Sequence, residues 1–179
     1  SNWVLDWESK ELVGICRQLG ITTAEPEYVK LTKAQSIFYS SRYDVLTNWQ
    51  KPSNRIAFPY FHGRPSSDAG FVNMINTITD HHNEIDRIQV SHSEMHDIIL
   101  ETGIDSKKVF RIPIGINLEY FSWSTPERRR EVREKLGIPL SCVVIGSFQK
   151  DGNGWGAGLE PKLIKGPDIF LKTVEILKP

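Results

Sequence analysis

The sequence predicts an α/β fold, a parallel sheet flanked by helices. Three observations predict it. Short apolar runs alternate with helical patterns through the middle of the chain: 85–90 as strand, 91–103 as helix, 109–114 as strand. Strand, helix and strand in this alternation give parallel neighbours covered by helices. An aromatic-rich run, Arg55 to Phe61, ends in His62-Gly63-Arg64-Pro65, as a strand ends in a turn. Finally, the apolar run Cys142 to Ile145 leads through a loop containing Gly152, Gly154, Gly156 and Gly158 to Lys165-Gly166-Pro167-Asp168. That last tetrapeptide reads as a helix start. Pro167 lacks an N–H that would be unpaired at a first helical position, and Asp168 favours the positive end of the helix dipole.

Composition bounds the function classes. The 179 residues carry 22 Lys plus Arg against 22 Asp plus Glu. That balance argues against a dedicated nucleic-acid binder, which shows a basic excess. No apolar run approaches the length of a membrane span. Cys16 and Cys142 are the only cysteines. They are far apart and form no disulfide framework, so both read as packed thiols in a reducing compartment. The expected location is cytoplasmic.

From the start, residues 3–19 read as a helix with Leu5, Leu12, Cys16 and Leu19 in a stripe and Gly20 as its stop. Ser36 to Ser40 is a short strand candidate, and 42–53 is polar. The strand at 55–61 places His62 at its carboxyl end, where α/β proteins bind ligands, and Gly63 permits close approach to the backbone. The alternative for His62 is a turn histidine bonded to local backbone. Phe71, Met74, Ile75 and Ile78 mark a helix running to about Glu84. His81 and His82 near its end point about 100° apart, which suits the dipole better than a shared metal. Ser91 and Glu94 have the spacing of a capping box, with Ser91 as N-cap. His92 and His96 are one turn apart and could share a metal. Glu94, however, is not at the HExxH position, so a zinc hydrolase is not supported. Thr125 caps and Pro126 begins the next helix, which Gly137 and Pro139 stop. Its Arg128, Arg129, Arg130 and Arg133, interspersed with Glu127, Glu131 and Glu134, read as a solvated, ion-paired face. After Asp168, Ile169, Phe170, Thr173, Val174 and Leu177 share one helical face.

A strand, a loop and a helix N-terminus with a lysine can hold a phosphate, because backbone N–H groups, dipole and cation converge there. The spacing is not a dinucleotide fingerprint, since Leu159 stands where GxGxxG needs glycine. The bland alternative is a surface loop beside a solvated lysine.

An ordered set of motifs goes further. IPIGIN (112–117), Phe121, LGIP (136–139), IGSF (145–148) and Lys165-Gly166 occur in the order and spacing found in GT-B glycosyltransferases of the retaining family 4 type. The resemblance covers 85–177, about half of the chain. It implies a Rossmann-like acceptor-side domain over 1–122 with its first strand missing. A linker and helix over 123–140 would follow, and then the first strand and helix of a second Rossmann-like, nucleotide-sugar-binding domain over 141–179. The chain would then be a fragment of a protein about twice as long, and inactive by itself. The resemblance implies transfer of a sugar from a nucleotide-sugar, a UDP- or GDP-sugar, to a carbohydrate or lipid-linked acceptor with retention. It implies no cofactor, no catalytic metal and no protein nucleophile; the alternative for the arginine cluster at 128–133 is contact with an anionic membrane surface, as a peripheral association.

The residues the resemblance implies can be named. His62 would lie near the reacting sugar, with Gly63, Arg64 and Ser91 on the acceptor side of the cleft. Gly146, Ser147, Lys150, Lys165 and Gly166 would bind the donor. Fixed cations there would stabilise the departing diphosphate without reorganising. The family's arginine after the first strand of the second domain is replaced by Ser147, with Lys150 three residues on as a point charge rather than a fork. Ile114 and Asn117 stand where the family has asparagine and aspartate. Two other readings stay open: a different nucleotide-binding α/β enzyme such as an epimerase or dehydrogenase, and a non-catalytic sugar-binding or scaffold domain.

Overall fold

The computed structural model describes residues 4–24, 33–41, 44–45, 53–148, 152 and 160–177. The chain divides into two compact units, Ser1–Phe121 and Ser122–Pro179.

The first unit is α/β, as its alternation requires. In chain order it contains α1 (Val4–Gln18), β1 (Ser36–Phe38), β2 (Arg55–Tyr60), α2 (Ala69–His81), β3 (Arg87–Val90), α3 (Ser93–Leu100) and β4 (Val109–Arg111). The four strands form one parallel sheet in the order β1-β2-β3-β4. Parallel neighbours in chain order, joined by right-handed crossovers, carry their connecting helices on one face. The burial pattern follows. Ile56, Phe58 and Tyr60 of β2, Ile88 and Val90 of β3 and Val109 of β4 point to one side, where they pack with Met74 and Ile78 of α2 and Met95 and Ile99 of α3. On the opposite side Phe38 and Phe110 remain partly exposed.

Pro59 sits inside β2 at no cost to the ladder. Ile56, like Phe58 and Tyr60, turns its backbone polar groups toward β3, while Arg55 and Ala57 turn theirs toward β1. Pro59 shares the parity of Ala57, but β1 ends at Phe38, in register with Ala57. Its missing N–H therefore faces no partner strand. Side chains close other backbone gaps. The Asp86 carboxylate accepts from Ile56 N at 2.8 Å. Lys108 Nζ donates to the carbonyls of His82 and Asn83, at 3.3 and 3.1 Å, just past the end of α2. α1 ends in a Schellman motif at Gly20, with Ile21 N bonded to Cys16 O at 2.8 Å and Gly20 N to Arg17 O at 3.0 Å. It is joined to the chain beyond β4 by Trp7 edge-on to Tyr120 and by Asn117 Nδ2 donating to Glu11 Oε1.

The second unit contains α4 (Pro126–Lys135), a 3₁₀ turn at Leu163–Lys165 and α5 (Pro167–Ile176). α4 is capped as its sequence demands: Thr125 accepts from Arg128 N, and Gly137 closes a second Schellman motif. Arg128–Glu131 and Arg130–Glu127 pair at 2.8 and 3.3 Å on its exposed face. Three expectations are corrected here. Arg133 is not part of that solvated face. It is buried, and its guanidinium donates to Pro139 O at 2.5 Å and Cys142 O at 3.0 Å. The strand expected over Cys142–Ile145 is not formed: 143–148 is irregular and exposed, and Val143 is 87% exposed. An apolar run becomes a strand only when a neighbour accepts its hydrogen bonds, and no described strand does. Cys142, read as a packed thiol, is exposed as well. On α5, Ile169 and Leu177 are exposed and Phe170 and Val174 half-buried. Among the described residues no helix is long and apolar enough to cross a membrane.

Candidate functional site

The first unit gathers four of the candidate residues at the carboxyl ends of β2 and β3. Tyr60, the last residue of β2, is buried, and its hydroxyl donates to Gly63 O at 2.7 Å. That bond closes the turn over the strand end. Gly63 has φ +115, a region that strains any L side chain. Space forbids one as well, because a Cβ there would lie 1.8 Å from Phe71 Cε1. The same Phe71 ring holds His62 edge-on, with centroids 5.7 Å apart and planes at 78°. His62 is exposed on a turn whose backbone is fixed from both sides.

Ser91 follows β3. Its hydroxyl donates to Phe61 O at 2.6 Å and ties the two strand ends together. The expected capping box is corrected by this bond. The N-cap of α3 is His92, and no side chain caps it. Ser91 is engaged thirty positions back in the chain, and Glu94 is paired with Arg64, whose Nε lies 2.5 Å from Glu94 Oε1. Both partners are well exposed, so this pair orders the turn more than it stabilises the fold. The result is a polar rim of His62, Arg64, Ser91 and Glu94 at the edge where parallel sheets bind ligands. It offers a histidine, a guanidinium and a carboxylate to a polar substrate.

Three of the other four histidines have local partners, while His92 is the N-cap of α3 with no side-chain cap bond. His81 Nδ1 stands 3.5 Å from Glu84 Oε2, and His82 Nδ1–H donates to Thr79 O at 2.7 Å. His96 Nδ1 lies 3.5 Å from Asp97 Oδ1. No group of three or more metal-ligating side chains forms among the described residues.

In the second unit, Lys165 is exposed at the end of the 3₁₀ turn that leads into α5. Gly166 adopts the left-handed conformation, φ 68 and ψ 36, and stands as N-cap with no side-chain cap. Pro167 is the first helical residue and Asp168 lies in the first turn. The N–H groups of that turn are left for solvent or a ligand. Gly146 and Ser147 lie on the exposed irregular segment. Lys150 and the glycines 154, 156 and 158 fall outside the described residues.

Sequence reasoning missed the Arg64–Glu94 pair and the role of Phe71. The first joins positions thirty apart in the chain, and the second joins a turn to the helix that follows it. No protein-family model matches the chain, and no curated protein is similar to it.

Proposed function

We propose that this protein is part of a retaining GT-B glycosyltransferase. It would pass a sugar from a UDP- or GDP-sugar to a carbohydrate or lipid-linked acceptor, in the cytoplasm. The observation that carries the reading is the Lys165-Gly166-Pro167-Asp168 lead into α5. An exposed ammonium stands beside uncapped first-turn N–H groups, which is the chemistry a diphosphate needs as its bond to the sugar breaks. The ordered motifs over 112–166 support the same reading, as does the His62 turn at the carboxyl end of β2. In this scheme Lys165 and the backbone around Gly166 hold the diphosphate. His62 faces the reacting sugar, and Gly63, Arg64 and Ser91 frame the acceptor.

The test uses the full-length gene product. Thermal shift with UDP, GDP, ADP and dTDP identifies the donor base, and donor hydrolysis with the best nucleotide follows. A ligand a hundredfold above its dissociation constant stabilises by about 2.7 kcal/mol. Lys165→Ala should abolish turnover and leave Tm nearly unchanged, because the side chain is exposed. Unchanged turnover removes the lysine from the donor site. Stabilisation by NAD or NADP alone would favour a dehydrogenase or epimerase instead.

A further inference from the structure

The opposite end of the sheet carries a second charged recess, at the amino ends of β1, β2 and β3. It is a cavity of about 460 Å³ whose lining includes Ser36, Arg55, Ala57, Asp86 and Arg87. The strand register decides which side chains meet there. Ser36 pairs with Arg55, and Ala57 pairs with Arg87. Paired residues share a sheet face, and so do residues two apart in one strand. Ser36, Arg55, Ala57 and Arg87 therefore all stand on the face opposite the buried core. Strands about 4.8 Å apart and an offset of two residues set the two arginine Cα atoms about 8 Å apart. Two guanidinium groups can close on one anion across that span, and the small Ala57 between them leaves the floor open.

The recess carries an excess of positive charge, two arginines against one carboxylate. Neither arginine has a salt bridge among the described residues, and both are exposed. Asp86 is the one acidic residue of the lining, and its carboxylate is turned to Ile56 N at 2.8 Å. Arg87 is also partly preset. Its Nη1 donates to Asp86 O at 2.6 Å, and its guanidinium lies 5.4 Å from the Phe110 ring centroid. That leaves its other N–H groups for a ligand. Ser36 supplies a hydroxyl beside them.

We propose that this recess binds a phosphate dianion, free or carried as a small phosphate monoester. Paired arginine forks match phosphate oxygens in geometry as well as charge. The six residues of β2 span about 20 Å, so the recess is a separate site from the His62 turn.

The test is calorimetric titration of the chain with inorganic phosphate, glycerol 3-phosphate and AMP at constant ionic strength, with chloride as control. Saturable one-to-one binding is expected. Arg87→Lys keeps the charge but loses the fork, and should weaken binding roughly tenfold. The Arg55→Ala/Arg87→Ala double variant should abolish it with an unchanged far-ultraviolet spectrum. Lys165→Ala should leave it intact, which separates this site from the donor site. Equal affinity for phosphate and its esters assigns the site to the free ion, and tighter binding of an ester assigns it to a metabolite. Absence of saturable binding, or binding that survives in the double variant, overturns the proposal.

Discussion

Gly63→Ala tests how the His62 turn is held. The substitution carries two separable costs. A non-glycine residue at φ +115 is strained by about 1–3 kcal/mol. The new methyl would also enter the Phe71 ring, 1.8 Å from Cε1, and forcing an extra methyl into a filled space costs about 1–3 kcal/mol. Together they predict a loss of roughly 2–6 kcal/mol from a domain whose whole stability is of order 5–15 kcal/mol. The assay is urea unfolding followed by tryptophan fluorescence. With a slope of about 2 kcal/mol per M, a loss of about 3 kcal/mol lowers the midpoint by about 1.5 M. Phe71→Ala separates the two costs. In a Gly63→Ala/Phe71→Ala background the steric part vanishes and the backbone part stays, so the double variant is more stable than the sum of the single losses by about 1–3 kcal/mol. Additive losses, or a Gly63→Ala loss under about 1 kcal/mol, would refute the reasoning that Phe71 and the backbone jointly aim His62.

Two further outcomes follow from the same geometry. Arg133→Met removes both carbonyl contacts at the end of α4; it should cost the second unit about 1–3 kcal/mol and speed amide exchange at Ile138 and Cys142, while amides of the first unit keep their protection. Unaltered exchange at those two amides would rule out the bridging role. Burial, and secondarily the Asp44 charge, hold the Tyr39 phenol above its ordinary value of 10.0. The folded state thus binds that proton more tightly than the unfolded chain does. Its contribution to stability is complete below about pH 10 and is lost as pH rises through the folded value. The unfolding free energy should fall in that alkaline window, and Tyr39→Phe should flatten the fall; an identical slope in the variant counts against it.

Much of the first unit is legible in the sequence because its signals are local. The periodicity of 4–18 and the glycine at 20 specify α1 and its end. The pattern of β2 places His62 just past the last strand residue. Thr125 caps and Pro126 opens α4 where the residues say they should. The rim residues His62, Gly63, Arg64 and Ser91 were all readable as the ends of β2 and β3. Their connections were not. Ser91 and Glu94 carry a local capping pattern, yet Phe61 O and the Arg64 guanidinium compete for the same side chains and win. Arg133 reads as one more solvated arginine until the chain at 139–142 turns back beneath it.

The same distinction separates the two units. The sequence by itself determined which segments favour helix, strand or turn, because torsional preferences, capping and hydrophobic period act within a few residues. Only the tertiary structure decided which of those preferences were realised. The run 109–111 became β4 because β3 lies beside it, whereas 142–145, more apolar still, has no described strand to accept its hydrogen bonds. A backbone donor or a polar side chain takes the partner that folding brings within about 3 Å, and that partner can be thirty residues away.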